Sequence, residues 1–335
     1  MHTRGGIDLG GTKIQAVIVD AEHRVLAERR TSTPTTGGPR EVAAAMASTL
    51  TAAAREADVE TSSLLGVGVG SPGHVDARHG TVANANNLPN WKEPFHLSAA
   101  LSELLGAPVE LGNDVGVALD GEAYLGAGRT YDSFVGLWWG TGIGGGVVLR
   151  HERWLGRGAS GEIGHMVIKR NGARCPCGRR GCVEAYAGRR AMEARARRDV
   201  ARGEKTELFE IMEKKGRTQL SSGVIAKALE REDEYTTWLI ERAVAAVAAG
   251  LASACNLLDV EAVVIGGGLG SRLGEPYAAK IRAAMLPHLF TPERPPAVHV
   301  AELGELAGAI GASLLVPGAK PHEPAKRERN ASRAR

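Results

Sequence analysis

The chain has 335 residues, 43% of them hydrophobic but only 4% aromatic, so aliphatic side chains and alanine must fill a core large enough for two domains or one large one. Its net charge of +3 is uneven: segment 317–335 carries six Lys/Arg and two Glu, a net of +4, leaving about −1 for the rest. A near-neutral body argues against a nucleic-acid surface, the charged end reads as a disordered basic tail, and no run approaches about 18 apolar residues, so no membrane span is expected.

In chain order, GIDLGGTKIQAVIVD (6–20) predicts strand, glycine turn, strand, and RVLAERRTSTPT (24–35) a third strand. Residues 40–57 predict an Ala-rich helix, and LLGVGVGSPG (64–73) a buried strand ending in a Ser-Pro-Gly turn. An irregular hairpin and loop follow, then a helix in PFHLSAALSELLG (94–106), a strand running into Asn113-Asp114, and a helix over 117–128. FVGLWWGTGIGGGVVL (134–149) repeats the opening theme of strand, Gly/Thr turn and strand. Charged helical sequence over 189–234 leads to a long small-residue helix at 235–260. EAVVIGGGLG (261–270) predicts a strand ending in glycines, and ELGELAGAIGASLLV (302–316) a final helix. Alternating strands and helices make the class α/β, and the likeness between 6–20 and 134–149 points to two similar halves facing a cleft.

Three glycine corners stand out. DLGGTK (8–13) sets Asp8 at a strand end, followed by Gly10, Gly11, Thr12 and Lys13. Such glycines let backbone N–H groups converge on an anion, while the hydroxyl adds a contact and the carboxylate suits hydrated Mg²⁺; a plain hairpin turn is the competing reading. GTGIGG (140–145) fits G-x-G-x-x-G, yet a strand rather than a helix follows it, and neither V-A-I-K nor H-R-D nor a Walker pattern is present. What remains is a phosphate-binding hairpin centred on Gly140, Thr141 and Gly142. At the third corner Gly267 and Gly268 would let a base or sugar lie against the backbone, unless they form only a turn.

The sequence contains four cysteines, and three of them lie in GHMVIKRNGARCPCGRRGCVEAY (164–186). The chain start, MHTRGGIDLGG, lacks the apolar core of a signal peptide, so a reducing cytoplasm is expected, where clustered cysteines bind metal more often than they pair. Taken with the glycine corners, Cys175-Pro-Cys177-Gly-Arg-Arg-Gly-Cys182-Val-Glu184 is similar to the signature C-x-C-G-x-x-G-C-x-E of the ROK family of sugar kinases and repressors. The resemblance covers about residues 5 to 316 and is strongest to bacterial glucokinases.

This resemblance implies a two-lobed, actin-like fold of the ribonuclease H and hexokinase type. An N-terminal lobe over 1–113 would be completed by helix 302–316, and a C-terminal lobe over 114–301 would carry a zinc loop at 165–182. It implies glucose in the cleft, ATP with Mg²⁺ on the C-terminal lobe, and a homodimer or homotetramer. Asp114 would take the proton of the sugar hydroxyl, a role that phosphoryl transfer to an alcohol requires. Asn113 donates and accepts, which suits a sugar hydroxyl. His165, Cys175, Cys177 and Cys182 make a His-Cys₃ set, a closed and therefore structural Zn²⁺ site; the C-x-C spacing disfavours a redox pair. In the family the residues matching Glu162, His165 and Glu184 bind sugar hydroxyls, and Gly73 and Asn87 would add contacts. Zinc removal should then weaken sugar binding with little effect at the glycine corners, and a side chain at 142 should obstruct only phosphate. Cys255 reads as a buried, inert thiol. Family repressors carry a winged-helix domain ahead of the DxGGTK strand, for which a strand starting at residue 6 leaves no room. Kinases for fructose or N-acetylmannosamine, and a sugar-sensing regulator that no longer catalyses, are the alternatives.

Overall fold

Two five-stranded sheets with the same topology organise the chain. The computed structural model describes residues 2–320; the expected basic tail falls outside the described residues from 321 on. One compact unit runs to Val117 and resumes at Ala309, and the other is Ala118–Gly308.

The first unit contains β1 (Arg4–Leu9), β2 (Lys13–Val19), β3 (Val25–Ser32), α1 (Pro39–Glu56), β4 (Val67–Ser71), the hairpin β5 (His74–Asp76) and β6 (Thr81–Ala83), α2 (Leu97–Leu105) and β7 (Val109–Asn113); α3 (Asp114–Tyr124) begins in it. Its sheet order is β3-β2-β1-β4-β7: the first three strands are antiparallel, while β1, β4 and β7 are parallel. Pro39 opens α1, where its missing N–H costs nothing, and Glu41 accepts a hydrogen bond from the Gly38 amide at 2.7 Å. Met46 and Leu50 of α1 and Leu97 and Leu101 of α2 pack with Ile7, Ile14 and Val69 in a closed core. Truncating any of these leucines to alanine would cost about 2–5 kcal/mol.

The second unit contains β8 (Ser133–Trp139), β9 (Ile143–Leu149), β10 (Glu152–Arg153), α4 (Glu184–Ala187), α5 (Arg189–Val200), α6 (Leu208–Lys214), α7 (Ser222–Glu230), α8 (Glu234–Leu258), β11 (Ala262–Gly266), α9 (Gly267–Met285) and β12 (Ala297–Val300). The order β10-β9-β8-β11-β12 repeats the first sheet strand for strand, with an antiparallel trio followed by two parallel additions. Asp233 caps α8 by accepting from the Thr236 amide at 2.7 Å, and Asp259 ends it in the left-handed region. By length and composition α8 could cross a membrane, but 67% of its apolar window is buried within the protein, as in a core helix.

Two elements depart from the sequence reading. The glycines after β11 open α9, which sequence analysis did not anticipate, and Gly274 kinks it ahead of Pro276. The expected final helix 302–316 is shorter: a single 3₁₀ turn at Gly304–Leu306 leads into α10 (Ala307–Ser313). α10 lies so close to the first sheet that a Cβ on Gly6 would stand 2.0 Å from the Ala309 carbonyl oxygen.

Candidate active site

In the first unit the candidate residues lie at the carboxyl ends of the parallel strands, the usual ligand side of such sheets. Asp8 of β1 lies opposite Gly70 of β4, and Ser71 of β4 opposite Asn113 of β7. Gly70 has no side chain to hold α3 away: a Cβ there would lie 3.4 Å from the Asp114 Cα and 2.5 Å from Val117. Asp8 and Asp114 are therefore close enough to repel each other. Burial, then the charge of Asp114, pushes the Asp8 carboxyl up to about 7 against the opposing pull of Lys13. Burial also raises Asp114, although the Val115 amide, 2.9 Å from Oδ1, and Asn113 favour its ionised form.

Asn113 Oδ1 accepts from the Gly116 amide at 3.1 Å and so caps α3. One lone pair of its oxygen and one bond to Asp114 are thus engaged in the fold, and the second lone pair and second N–H still suit the expected donate-and-accept role. At the 8–13 turn the Gly10 amide donates to the Lys13 carbonyl at 2.9 Å, the Thr33 hydroxyl donates to the Gly10 carbonyl at 2.7 Å, and Thr12 is exposed. Asn87 stands against this turn, since a Cβ on Gly11 would lie 2.9 Å from its Cβ. Gly73 adopts φ +88°, and a side chain there would strike the Ala83 carbonyl at 2.6 Å, so its immediate reason is the crossing of the Ser-Pro-Gly corner over β6.

In the second unit His165, Cys175, Cys177 and Cys182 converge, with one ligand atom from each lying within 4.8 Å of all the others. The Cys177 and Cys182 sulfurs are 3.8 Å apart, and Cys175 Sγ is 3.8 Å from His165 Nδ1. Bonds of about 2.3 Å at a tetrahedral angle put two thiolates about 3.8 Å apart, so this donor set fits zinc. All three cysteines are unpaired thiols. Burial pushes Cys175 up to about 12 and raises Cys182, whereas the Arg179 amide lowers Cys177; a divalent cation is what would keep all three ionised. Nδ1 faces the cysteines, and His165 Nε2 lies 4.0 Å from Glu162 Oε2.

Glu184 links this loop to the β8–β9 turn. Its Oε2 accepts from the Ile143 amide at 2.8 Å, while Oε1 lies 3.8 Å from Cys175 Sγ. A Cβ on Gly142 would meet Glu184 Oε2 at 2.3 Å, but one on Gly140 would meet nothing within 4 Å. The 140–142 turn thus lies against the cysteine loop rather than distant from it, and a side chain at 142 would meet Glu184. Gly267, at φ +82°, packs where a side chain would lie 2.7 Å from the Trp139 backbone, and Gly268 faces the Ser222 hydroxyl. Arg189, which sequence reading passed over as part of a charged helical stretch, bridges the corner: it donates to Thr141 Oγ1 at 2.7 Å and to Ser222 Oγ at 3.0 Å. Cys255 is buried in α8, and burial raises its thiol to about 12, consistent with inertness.

A family model described as "ROK family" matches residues 4–319. A glucokinase of Thermotoga maritima is 31% identical over 316 residues, covering 93% of this chain and 96% of that protein. An N-acetylmannosamine kinase of Haemophilus influenzae is also 31% identical, over 313 residues, covering 92% and 94% respectively. The crystal structure of a ROK family glucokinase from Streptomyces griseus in complex with glucose and AMPPNP superposes with a TM-score of 0.77 at 31% identity, covering 93% of this chain and 98% of that one.

Proposed function

The chain belongs to the ROK family, and from that premise we propose that it transfers the terminal phosphoryl group of ATP to the 6-hydroxyl of glucose, giving glucose 6-phosphate. The observation that carries this reading is the Asp8–Asp114 pair at the carboxyl ends of β1, β4 and β7. Asp114 is the base. It accepts the hydroxyl proton as the oxygen attacks phosphorus, and its raised proton affinity brings it nearer the working pH than an ordinary carboxylate. Asp8 holds Mg²⁺, whose charge neutralises the donor phosphates; a carboxyl lifted by a like neighbour is the group a cation would return to its ionised form.

The remaining residues bind and orient. Gly10, Gly11, Thr12 and Lys13, and Gly140, Thr141 and Gly142, hold the phosphates, while Gly267 and Gly268 border the nucleoside. Glu162, His165 and Glu184, with Asn113, Asn87 and Gly73, hold the sugar hydroxyls. The zinc set fixes His165 through Nδ1, which leaves Nε2 for a hydroxyl beside Glu162. A cytoplasmic homodimer or homotetramer belongs to the same reading.

Equal identity to an N-acetylmannosamine kinase supports a second reading, in which the acceptor is another hexose. The test is ADP release with glucose, mannose, fructose, N-acetylglucosamine and N-acetylmannosamine. Highest kcat/KM with glucose upholds the proposal, and preference for an N-acetylated sugar favours the second reading. Sugar binding without turnover identifies a regulator instead.

A further inference from the structure

Arg189 begins α5 directly beside the 140–142 turn. Its own amide donates to the Gly140 carbonyl at 3.2 Å, and the Arg190 amide donates to the Thr141 carbonyl at 3.1 Å. These first helix amides are therefore engaged and offer nothing to an anion. What the corner presents instead is the Arg189 guanidinium, half-buried and fixed between two hydroxyls, Thr141 Oγ1 at 2.7 Å and Ser222 Oγ at 3.0 Å.

No carboxylate pairs with it among the described residues. Glu193, the nearest acidic influence on it, is bonded instead to Arg197 and to the Leu220 amide. Burying a cation without a counter-charge is unfavourable, and burial indeed lowers this arginine's proton affinity. Two neutral hydroxyl oxygens hold it in place without neutralising it. By accepting from the guanidinium, each hydroxyl keeps its own proton free to donate elsewhere. The corner therefore combines one rigid positive charge, uncommitted guanidinium N–H groups and two aimed hydroxyl donors. Gly268 borders it, with a would-be Cβ 3.7 Å from Ser222 Oγ. A guanidinium in such a fork matches phosphate oxygens, where a lysine would act only as a point charge.

We propose that Arg189, steadied by Thr141 and Ser222, is a phosphate-binding side chain of the donor site that contacts the polyphosphate chain of the nucleotide. This rests on the sugar-kinase reading. It adds a guanidinium fork on the donor side, where the glycine turns offer backbone amides, hydroxyls and the point charge of Lys13.

The test is calorimetric titration of the full chain and its Arg189→Gln variant with Mg-AMPPNP, Mg-ADP, adenosine and glucose. The expected result is at least about tenfold weaker AMPPNP and ADP binding, the effect of losing a charge-assisted hydrogen bond, with adenosine and glucose affinities within about twofold of the parent. Arg189→Lys should recover part of the loss, and Ser222→Ala should weaken AMPPNP a few-fold by loosening the arginine. Unchanged AMPPNP affinity in Arg189→Gln overturns the proposal. If Arg189→Gln does not fold, unchanged affinity in both Arg189→Lys and Ser222→Ala overturns it equally. An unmodified chain that binds glucose but no nucleotide would sink the kinase reading itself, a result separable from the variant data.

Discussion

Replacing Asp8 with asparagine should stabilise the protein at alkaline pH while abolishing its activity. The carboxyl holds its proton up to about pH 7 instead of 3.8, because burial and the neighbouring Asp114 charge disfavour ionisation. A carboxyl whose folded pKa is raised contributes most to stability while protonated. That contribution falls as pH climbs from about 4 through about 7, and above 7 the full cost of ionisation is present. Each tenfold in proton affinity is about 1.4 kcal/mol, so a rise from 3.8 to about 7 costs the metal-free fold about 4 kcal/mol at pH 8. Asparagine has nearly the same shape and never ionises. In magnesium-free buffer Asp8→Asn should therefore melt at least about 3 °C above the parent at pH 8 and close to it at pH 4.5. The difference between the two proteins isolates Asp8, since every other group titrates in both. Adding Mg²⁺ should narrow the gap by stabilising the parent alone. Equal melting temperatures at pH 8, or a variant less stable at every pH, would refute the argument that Asp8 is a strained carboxylate awaiting a cation. Gain of stability with loss of turnover is the signature of a functional group held at a cost to the fold.

Asp114→Asn should lower kcat by at least about 10²-fold with sugar affinity retained, and near-normal kcat would remove Asp114 as the base. The same substitution removes the like charge facing Asp8, so the pH-dependent gap just described should shrink in an Asp114→Asn background. In the parent, kcat should fall with decreasing pH through a pKa above the ordinary carboxylate range, because the raised Asp114 must be ionised to accept a proton. Metal analysis should find one zinc per chain; since Glu184 touches both Cys175 and the Ile143 amide, chelation should weaken glucose and AMPPNP binding together, and loss of glucose binding alone would argue against that link. Gly142→Ala should displace Glu184 and weaken glucose binding, whereas Gly140→Ala, which points into open space, should leave glucose affinity unchanged.

How much of this was legible in the sequence depended on how local each feature is. The strand–glycine–strand hairpins at 4–19 and 133–149 and the His-Cys₃ cluster from 165 to 182 are short-range patterns, and the structure has them where the residues indicated. α9 was missed because its first residues are glycines, which read as loop, and because Gly274 and Pro276 break its periodicity. The final helix was read too long because Ala and Gly near it carry little boundary information; its real constraint is the contact of Ala309 with Gly6, some 300 positions away in the chain. Arg189 was invisible for the same reason. Its partners are 48 and 33 residues distant, and an Arg-Arg pair in a charged stretch normally marks only a solvated helix face.

The repeated sheet also explains why the two units cannot exchange roles. In the first sheet Asp8 of β1 pairs with Gln15 of β2 and Gly70 of β4. The same register position in the second sheet is Trp138 of β8, paired with Gly144 of β9 and Gly266 of β11. Glycine is kept on the parallel neighbour in both cases and serves the same geometric end. Gly70 lets the Asp114 backbone approach, and Gly266 leaves room for the Trp138 ring, whose Nε1 would otherwise be 3.2 Å from a Cβ. The residue beside it differs: a carboxylate suited to a cation in one sheet, an indole in the other. A tryptophan cannot accept a proton or hold Mg²⁺, so under the proposed function the second unit would meet the phosphate charge with groups from outside its sheet. The guanidinium of Arg189 and the hydroxyls of Thr141 and Ser222, brought together by α5, the β8–β9 turn and α7, are the groups proposed for that task.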